Sequence, residues 1–179
     1  MLKRILVWSG IAVVLALVAI KAFLINYYRI PQNGMYPSLP AGSIVFTTKR
    51  PYSDTSSVKR GDIIVFVREE NGQRYNYIWR VVAVPGERVE TSGELLVING
   101  QTVQRQRLRE VDGKVVFREQ IGDISYEVAF DQRPVDRPPD VSVTVPADQF
   151  FVMGDNRFGA RDSRHFGPVP FTSIIGKKL

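Results

Sequence analysis

Side chains that could do acid–base chemistry are concentrated in one short stretch, GDNRFGARDSRHFG, at residues 154–167. The stretch combines five charged residues with Ser163 and with His165, the only histidine of the chain. The apolar run FFVM at residues 150–153 precedes it directly. Hydroxyl, imidazole and carboxylate groups close together are typical of nucleophilic or general acid–base catalysis. The same residue types also form ion-paired structural corners or solvated loops, so the stretch alone leaves three interpretations open.

Length and composition narrow the class of protein. With 179 residues, of which 44% are hydrophobic and 23% charged, the chain can form one folded domain with a small insertion. Its net charge of +6 favours an anionic membrane surface over nucleic acid, because no nucleic-acid-binding motif accompanies the basic residues. The lack of cysteine excludes disulfides, thiolate metal sites and thiol catalysis. A lone histidine among scattered carboxylates lacks metal-ligand spacing, so we predict neither a metal nor a cofactor.

The N-terminal segment predicts a single transmembrane anchor. Residues 5–20 carry no charge, and the run 5–25 is long enough to cross a bilayer if Lys21 extends its amine to the interface. Tyr27 and Tyr28 follow, where an aromatic belt is expected. A cleaved signal peptide is the alternative interpretation of this segment.

Basic residues before the apolar run predict the orientation of that anchor. Lys3 and Arg4 place a short tip, residues 1–4, in the cytoplasm under the positive-inside rule. Residues 29–179 would then form an extracytoplasmic domain.

Beyond Arg29 the sequence predicts a mostly β fold. Short runs rich in β-branched and aromatic residues alternate with turn signals, which is typical of a β-sandwich or a closed barrel assembly. Asn99-Gly100 predicts a two-residue hairpin turn, and Pro85-Gly86 predicts another turn. The predicted strands are GSIVFTTKR, GDIIVFVREE, YNYIWRVVAVPG, ELLVINGQTV, VVFREQ, ISYEVAF, VSVTV and QFFVMG.

Residues 102–145 differ from their surroundings and predict a cap or insertion. The segment contains a run of arginines and leaves through the proline-rich stretch DQRPVDRPPD. We interpret the basic run as a solvated face rather than a binding patch.

Three motifs together resemble the bacterial type I signal peptidase family. They are IPQNGMYPSL at 30–39, RGDIIVF with YIWRVVAVPG at 60–66 and 77–86, and the stretch at 154–167. The resemblance covers nearly the whole chain. It implies an anchor in the bacterial cytoplasmic membrane, a β-rich outer domain and removal of signal peptides from exported proteins. It also implies a Ser–Lys dyad, in which serine attacks the peptide carbonyl and a neutral lysine takes its proton.

The residues that carry this chemistry in the family are replaced here. The nucleophilic serine position is Gly34, and the lysine position is Trp79. Ala160 occupies the position of the serine that orients the lysine in the family. Gln32 occupies the position of the serine that donates to the oxyanion. Glycine has no side chain, and an indole N–H can donate but cannot accept a proton. A Ser–Lys mechanism at the matched positions is therefore chemically impossible.

Three other residues could be considered as replacements. Ser38 follows the nucleophile position, but a turn or backbone hydrogen bond is its expected role. Lys59 lies in a turn, where an exposed amine keeps a pKa near 10.4 and is a poor base. His165 is expected to be structural or solvated.

Three hypotheses follow for the function. The first is a pseudopeptidase whose cleft binds an extended segment of an exported protein, or another secretion or assembly protein, through Gln32, Gly34, Met35, Pro37 and Trp79. The second is an active signal peptidase with an unrecognised catalytic arrangement. The third is a membrane-anchored structural domain in which Trp79 is packed core. In each case we expect the stretch at 154–167 to form an ion-paired frame together with Arg80. The residues of this frame are Arg80, Asp155, Asn156, Arg157, Asp162, Ser163 and Arg164.

Overall fold

Strands are the main regular secondary structure in the described part of the chain. The structure is a computed structural model that describes residues 8–16, 24–49 and 51–179. Its strands are β1 Ile25–Arg29, β2 Ile44–Lys49, β3 Ile63–Glu70, β4 Gln73–Ala83, β5 Arg88–Ser92, β6 Leu95–Ile98, β7 Gln101–Thr102, β8 Gln104–Val111, β9 Lys114–Ile121, β10 Ile124–Asp131, β11 Val141–Thr144, β12 Gln149–Met153, β13 Val169–Pro170 and β14 Ile174–Lys178. A short helix covers Ser163–Phe166.

The strands form three sheets. A seven-stranded sheet has the order β1-β2-β14-β3-β4-β12-β13, a four-stranded sheet has the order β11-β5-β6-β7, and a three-stranded sheet has the order β10-β9-β8. Within the described residues the two edge strands of the large sheet do not pair with each other. The mostly β prediction is confirmed, whereas the alternative of a closed barrel is wrong, because the large sheet keeps two open edges.

The apolar run FFVM at 150–153 lies in β12, and both faces of this strand are buried. Side chains alternate along β12, so Phe150 and Val152 enter one apolar cluster while Phe151 and Met153 enter a second. A strand that is covered on both faces needs no polar positions. The strand β12 therefore lies between two apolar clusters, and residues 154–157, which follow it directly, are buried.

The predicted two-residue turn at Asn99-Gly100 is present. Asn99 and Gly100 both have positive φ, 50° and 76°, and connect β6 to β7 with Ile98 paired to Gln101. This prediction is confirmed, because the two residue types tolerate the backbone that a tight hairpin requires.

The predicted cap contains the three-stranded sheet. Strands β8, β9 and β10 occupy residues 104–131, and the proline-rich stretch after them is irregular. The basic run forms β8, a strand that the sequence patterns did not identify because charged residues fill it. Two of its arginines are exposed and form ion pairs with glutamates, Arg107 with Glu110 and Arg109 with Glu127.

The predicted anchor, residues 5–25, is described only in part. Residues 8–16 are helical, while 1–7 and 17–23 are not described. In the ranges that the structure does cover, no helix is both long and apolar enough to cross a membrane. Tyr27 and Tyr28, expected in an aromatic belt, lie in β1 and pair with Phe46 and Val45 of β2.

Candidate functional site

A cleft of about 240 Å³ lies between β4 and the segment that follows β1. One wall is formed by five consecutive residues of β4, Tyr75 to Trp79. The other wall is formed by Ile30, Pro31, Gln32, Gly34 and Met35. Four of the five predicted cleft residues therefore line one cavity, and Pro37 is not among them.

One edge of β4 is open along this cleft. On one side β4 pairs with β3 from Gln73 to Arg80, but on the other side it pairs with β12 only from Arg80 to Ala83. The backbone of Val81 bonds toward the β3 side, because its N–H donates to Asp62 O and its carbonyl accepts from Gly61 N, both at 2.8 Å. Since backbone groups of successive strand residues point to opposite edges, those of Asn76 and Ile78 face the open edge.

The indole of Trp79 covers the backbone of Gly34. A Cβ atom at Gly34 would lie 2.5 Å from Cη2 and 2.7 Å from Cζ3 of Trp79. Trp79 is only 9% exposed, belongs to the apolar core and also lines the cleft. Packed core and cleft wall are thus both correct descriptions of this residue. The indole of Trp79 fills the space that a side chain at position 34 would need.

Ala160 and Gly154 complete this close packing. A Cβ atom at Gly154 would collide with Cβ of Ala160 and would lie 2.6 Å from the Gly34 carbonyl oxygen. That carbonyl accepts a hydrogen bond from Asn156 N at 3.1 Å, and the Asn156 side chain donates to Asn33 O at 3.0 Å. The start of the charged stretch is therefore held directly against the segment that carries Gly34.

Arg80, the neighbour of Trp79, forms a bidentate ion pair with Asp155. Its Nε and Nη2 atoms lie 2.8 and 2.6 Å from the carboxylate oxygens, and both residues are buried. The guanidinium also donates to Gly61 O and to Ser38 Oγ, and it lies 4.2 Å from the centre of the Tyr126 ring. This arrangement fixes β4 to the charged stretch.

Asp162 and Ser163 brace the same stretch from within. Asp162 pairs with Arg164, caps the short helix through Arg164 N, and accepts a hydrogen bond from Gly154 N at 2.9 Å. The hydroxyl of Ser163 accepts from Val152 N at 3.0 Å. A carboxylate that accepts from two backbone groups and a guanidinium satisfies the polar groups that this turn buries.

The partner of Arg157 lies in the predicted cap and was missed by the sequence analysis. Arg157 is fully buried and forms a bidentate pair with Glu119 of β9, which also accepts from Arg105 and from the Tyr126 hydroxyl. Glu119 is 38 positions from Arg157, and no local pattern connects the two residues. The backbone at Ala129 of β10 adds two hydrogen bonds to the stretch, at Asp155 O and Arg157 N.

Arginine charges keep Glu119 ionised. Burial by itself would raise the pKa of Glu119, but the charges of Arg157 and Arg105 outweigh burial and hold that pKa below its ordinary value. The cap is therefore joined to the charged stretch by a buried, charged contact.

The three replacement candidates, Ser38, Lys59 and His165, are not hydrogen-bonded to one another in the described structure. Ser38 Oγ accepts a hydrogen bond from Arg80, whose guanidinium cannot act as a base. Lys59 Nζ donates to Ser56 O, and His165 is exposed on the short helix. Desolvation lowers the pKa of His165. Neither Lys59 nor His165 forms a hydrogen bond with Ser38.

Comparison with known proteins identifies the family. The family model described as "Signal peptidase, peptidase S26" matches residues 2–179. The signal peptidase I of Bacillus caldolyticus is 30% identical over 170 residues, 95% of this chain and 86% of that protein. That of Bacillus licheniformis is 34% identical over 155 residues, 87% of this chain and 74% of that protein. The crystal structure of a signal peptidase I from Enterococcus faecalis V583 is 27% identical, covers 69% of this chain and 98% of that chain, and has a TM-score of 0.41.

The chain belongs to the signal peptidase family, peptidase S26. The resemblance inferred from the three motifs is confirmed.

Proposed function

We propose that this chain is a non-catalytic member of its family that binds an extended polypeptide in the cleft beside β4. The observation that carries the proposal is the contact between Trp79 and Gly34. Gly34 and Trp79 provide neither a nucleophile nor a base at the positions where the family has them. The Trp79 indole also fills the space beside Gly34 that a nucleophilic side chain would need. The methyl group of Ala160 offers no hydroxyl to orient a lysine.

The open edge of β4 supports binding rather than cleavage as the activity. An extended chain can add to an unpaired strand edge through backbone hydrogen bonds, and this mode of recognition needs no catalytic group. The outward N–H and C=O groups of Asn76 and Ile78 are suited to it. The apolar walls of the cleft would hold side chains of the added strand.

The expected setting is the outer face of the bacterial cytoplasmic membrane. The uncharged run 5–20 and the basic residues Lys3 and Arg4 support an anchor with a cytoplasmic N-terminus, in contact with the lipid bilayer. The partner would then be a segment of an exported protein or another secretion or assembly protein. An active signal peptidase is the second candidate, because the relatives described above are named signal peptidase I.

A paired cleavage assay separates the two candidates. The chain is purified in detergent and incubated with an exported precursor that carries a signal peptide, and products are measured by mass. We expect no cleavage by the chain itself. Beside it, a Gly34→Ser, Trp79→Lys, Ala160→Ser triple variant is expected to cleave the precursor or become acylated, because it regains nucleophile, base and orienting hydroxyl. Cleavage by the unchanged chain would contradict the proposal and make Ser38→Ala and His165→Ala the next variants.

Binding at the strand edge is tested by Asn76→Pro. Proline removes the outward N–H of residue 76 but leaves the β3 pairing intact, since that N–H does not bond to β3. We expect the affinity for an extended peptide to fall about tenfold, as for the loss of one hydrogen bond.

The matched control is Asn76→Ala, which removes the same side chain but keeps the N–H, so its affinity is the reference for the proline variant. Both variants are compared by calorimetric titration, with circular dichroism as the check on folding. Equal affinity of the folded proline and alanine variants would exclude pairing at this edge.

A further inference from the structure

An aromatic row runs along the wall of the cleft. Tyr75, Tyr77 and Trp79 occupy alternate positions of β4, so their side chains project from the same face of the strand. The Tyr77 and Trp79 rings are in contact, with centroids 6.3 Å apart. The row begins at Tyr75, which is 45% exposed, and ends at the buried indole over Gly34. The row lies beside the unpaired part of the strand edge from residue 75 to residue 79.

The opposite wall of the cleft is also largely apolar. Ile30, Pro31 and Met35 face the row across a cleft of about 240 Å³. A pair of alanine methyl groups would leave most of this space unfilled. Larger apolar side chains would remove both walls from water.

We propose that the segment bound in this cleft carries bulky β-branched or aromatic side chains at two alternate positions that face the row of Tyr75, Tyr77 and Trp79. This inference rests on the proposed function and specifies its partner. Residues two apart on an added strand share a face and meet the row as cross-strand neighbours. Cross-strand aromatic and β-branched pairs stabilise a sheet more than alanine pairs do. The chain therefore selects bulky side chains in its cleft, not small ones.

Three nine-residue peptides with blocked ends and serine at all other positions test this selection. The first carries valine at positions 4 and 6, the second has valine at 4 and 5, and the third has alanine at 4 and 6. Binding is followed by fluorescence of Trp79 in the full chain in detergent. Trp8→Phe leaves Trp79 as the only tryptophan, since the chain contains two.

We expect the peptide with alternate valines to bind about tenfold more tightly than the other two. Tyr75→Ala, at an exposed position, is expected to reduce that preference, and Tyr27→Ala, an exposed tyrosine on β1, is expected to leave it unchanged.

Failure of the inference and failure of the proposed function give different results. If the alanine peptide binds as tightly as the alternate-valine peptide, the selection for bulky side chains is wrong, while peptide binding stands. If valines at 4 and 5 bind as well as alternate valines, the strand-like arrangement is wrong. If none of the three peptides binds, the proposed function is overturned together with the inference.

Discussion

Glu119→Gln is expected to lower the free energy of unfolding by about 3–5 kcal/mol. The substitution keeps the shape of the side chain and removes only its charge. It leaves Arg157, whose side chain is 1% exposed, without the carboxylate that pairs with it. An uncompensated buried guanidinium cannot lose its proton, so the full cost of burying the charge falls on the folded state. The measurement is chemical denaturation of both proteins in the same detergent.

The effect of Glu119→Gln is also expected to depend on pH. Because the pKa of Glu119 is lower in the folded chain than its ordinary value of 4.5, its charge stabilises the fold fully above that pH. The stabilisation is lost as the pH falls from there toward the folded pKa. The difference between the chain and the variant should therefore be largest near neutral pH and shrink in acid.

Glu127→Gln is the matched control. Glu127 pairs with Arg109 on the surface of the same small sheet, where solvent screens the pair. We expect no measurable loss of stability from this change. Equal losses in the two variants would show that burial of the Arg157–Glu119 pair is not what stabilises the contact between cap and charged stretch.

Gly34→Ser is expected to lower stability by about 1–3 kcal/mol, as overpacked core substitutions do. The reason is the 2.5 Å approach of a new Cβ to the Trp79 indole. The backbone at Gly34 does not have a positive φ, so conformational strain of the main chain is not the cause. The same substitution in a Trp79→Ala background meets no indole and should cost much less.

A double-mutant cycle measures this coupling. Trp79→Ala alone is expected to cost about 3–5 kcal/mol, because it empties a buried site. The double variant should be more stable than the sum of the two single changes predicts, by about the overpacking cost of Gly34→Ser. Additive effects would mean that the cost of Gly34→Ser is the same with and without Trp79, and the indole would then not be what keeps a side chain out of position 34.

Under the proposed function, the same coupling is the reason that one substitution alone is not expected to give the chain Ser–Lys activity. A serine at position 34 collides with the indole, and a lysine at position 79 faces a glycine that cannot attack a carbonyl. The ion-paired frame of Arg80, Asp155 and Asp162 does not contact the side chains at either position through a hydrogen bond. The triple variant should therefore keep the ion-paired frame while it gains serine at positions 34 and 160 and lysine at position 79.

The amino-acid sequence by itself determined the features that depend on neighbouring residues or on residue identity. The turn at Asn99-Gly100 follows from two residue types that tolerate positive φ. The prediction that this chain has no Ser–Lys dyad follows from the identity of Gly34 and Trp79, since neither side chain can act as nucleophile or base. The three motifs were sufficient to predict the family.

Only the tertiary structure decided which distant residues meet. The contact between Trp79 and Gly34 spans 45 positions of the sequence and depends on how β4 packs beside the segment that follows β1. The pairing of Arg157 with Glu119 depends on the position of β9, and any of the 18 acidic residues could have been its partner by sequence alone. Local propensity does not specify such contacts, because they are made when strands far apart in the chain pack and bury their side chains together.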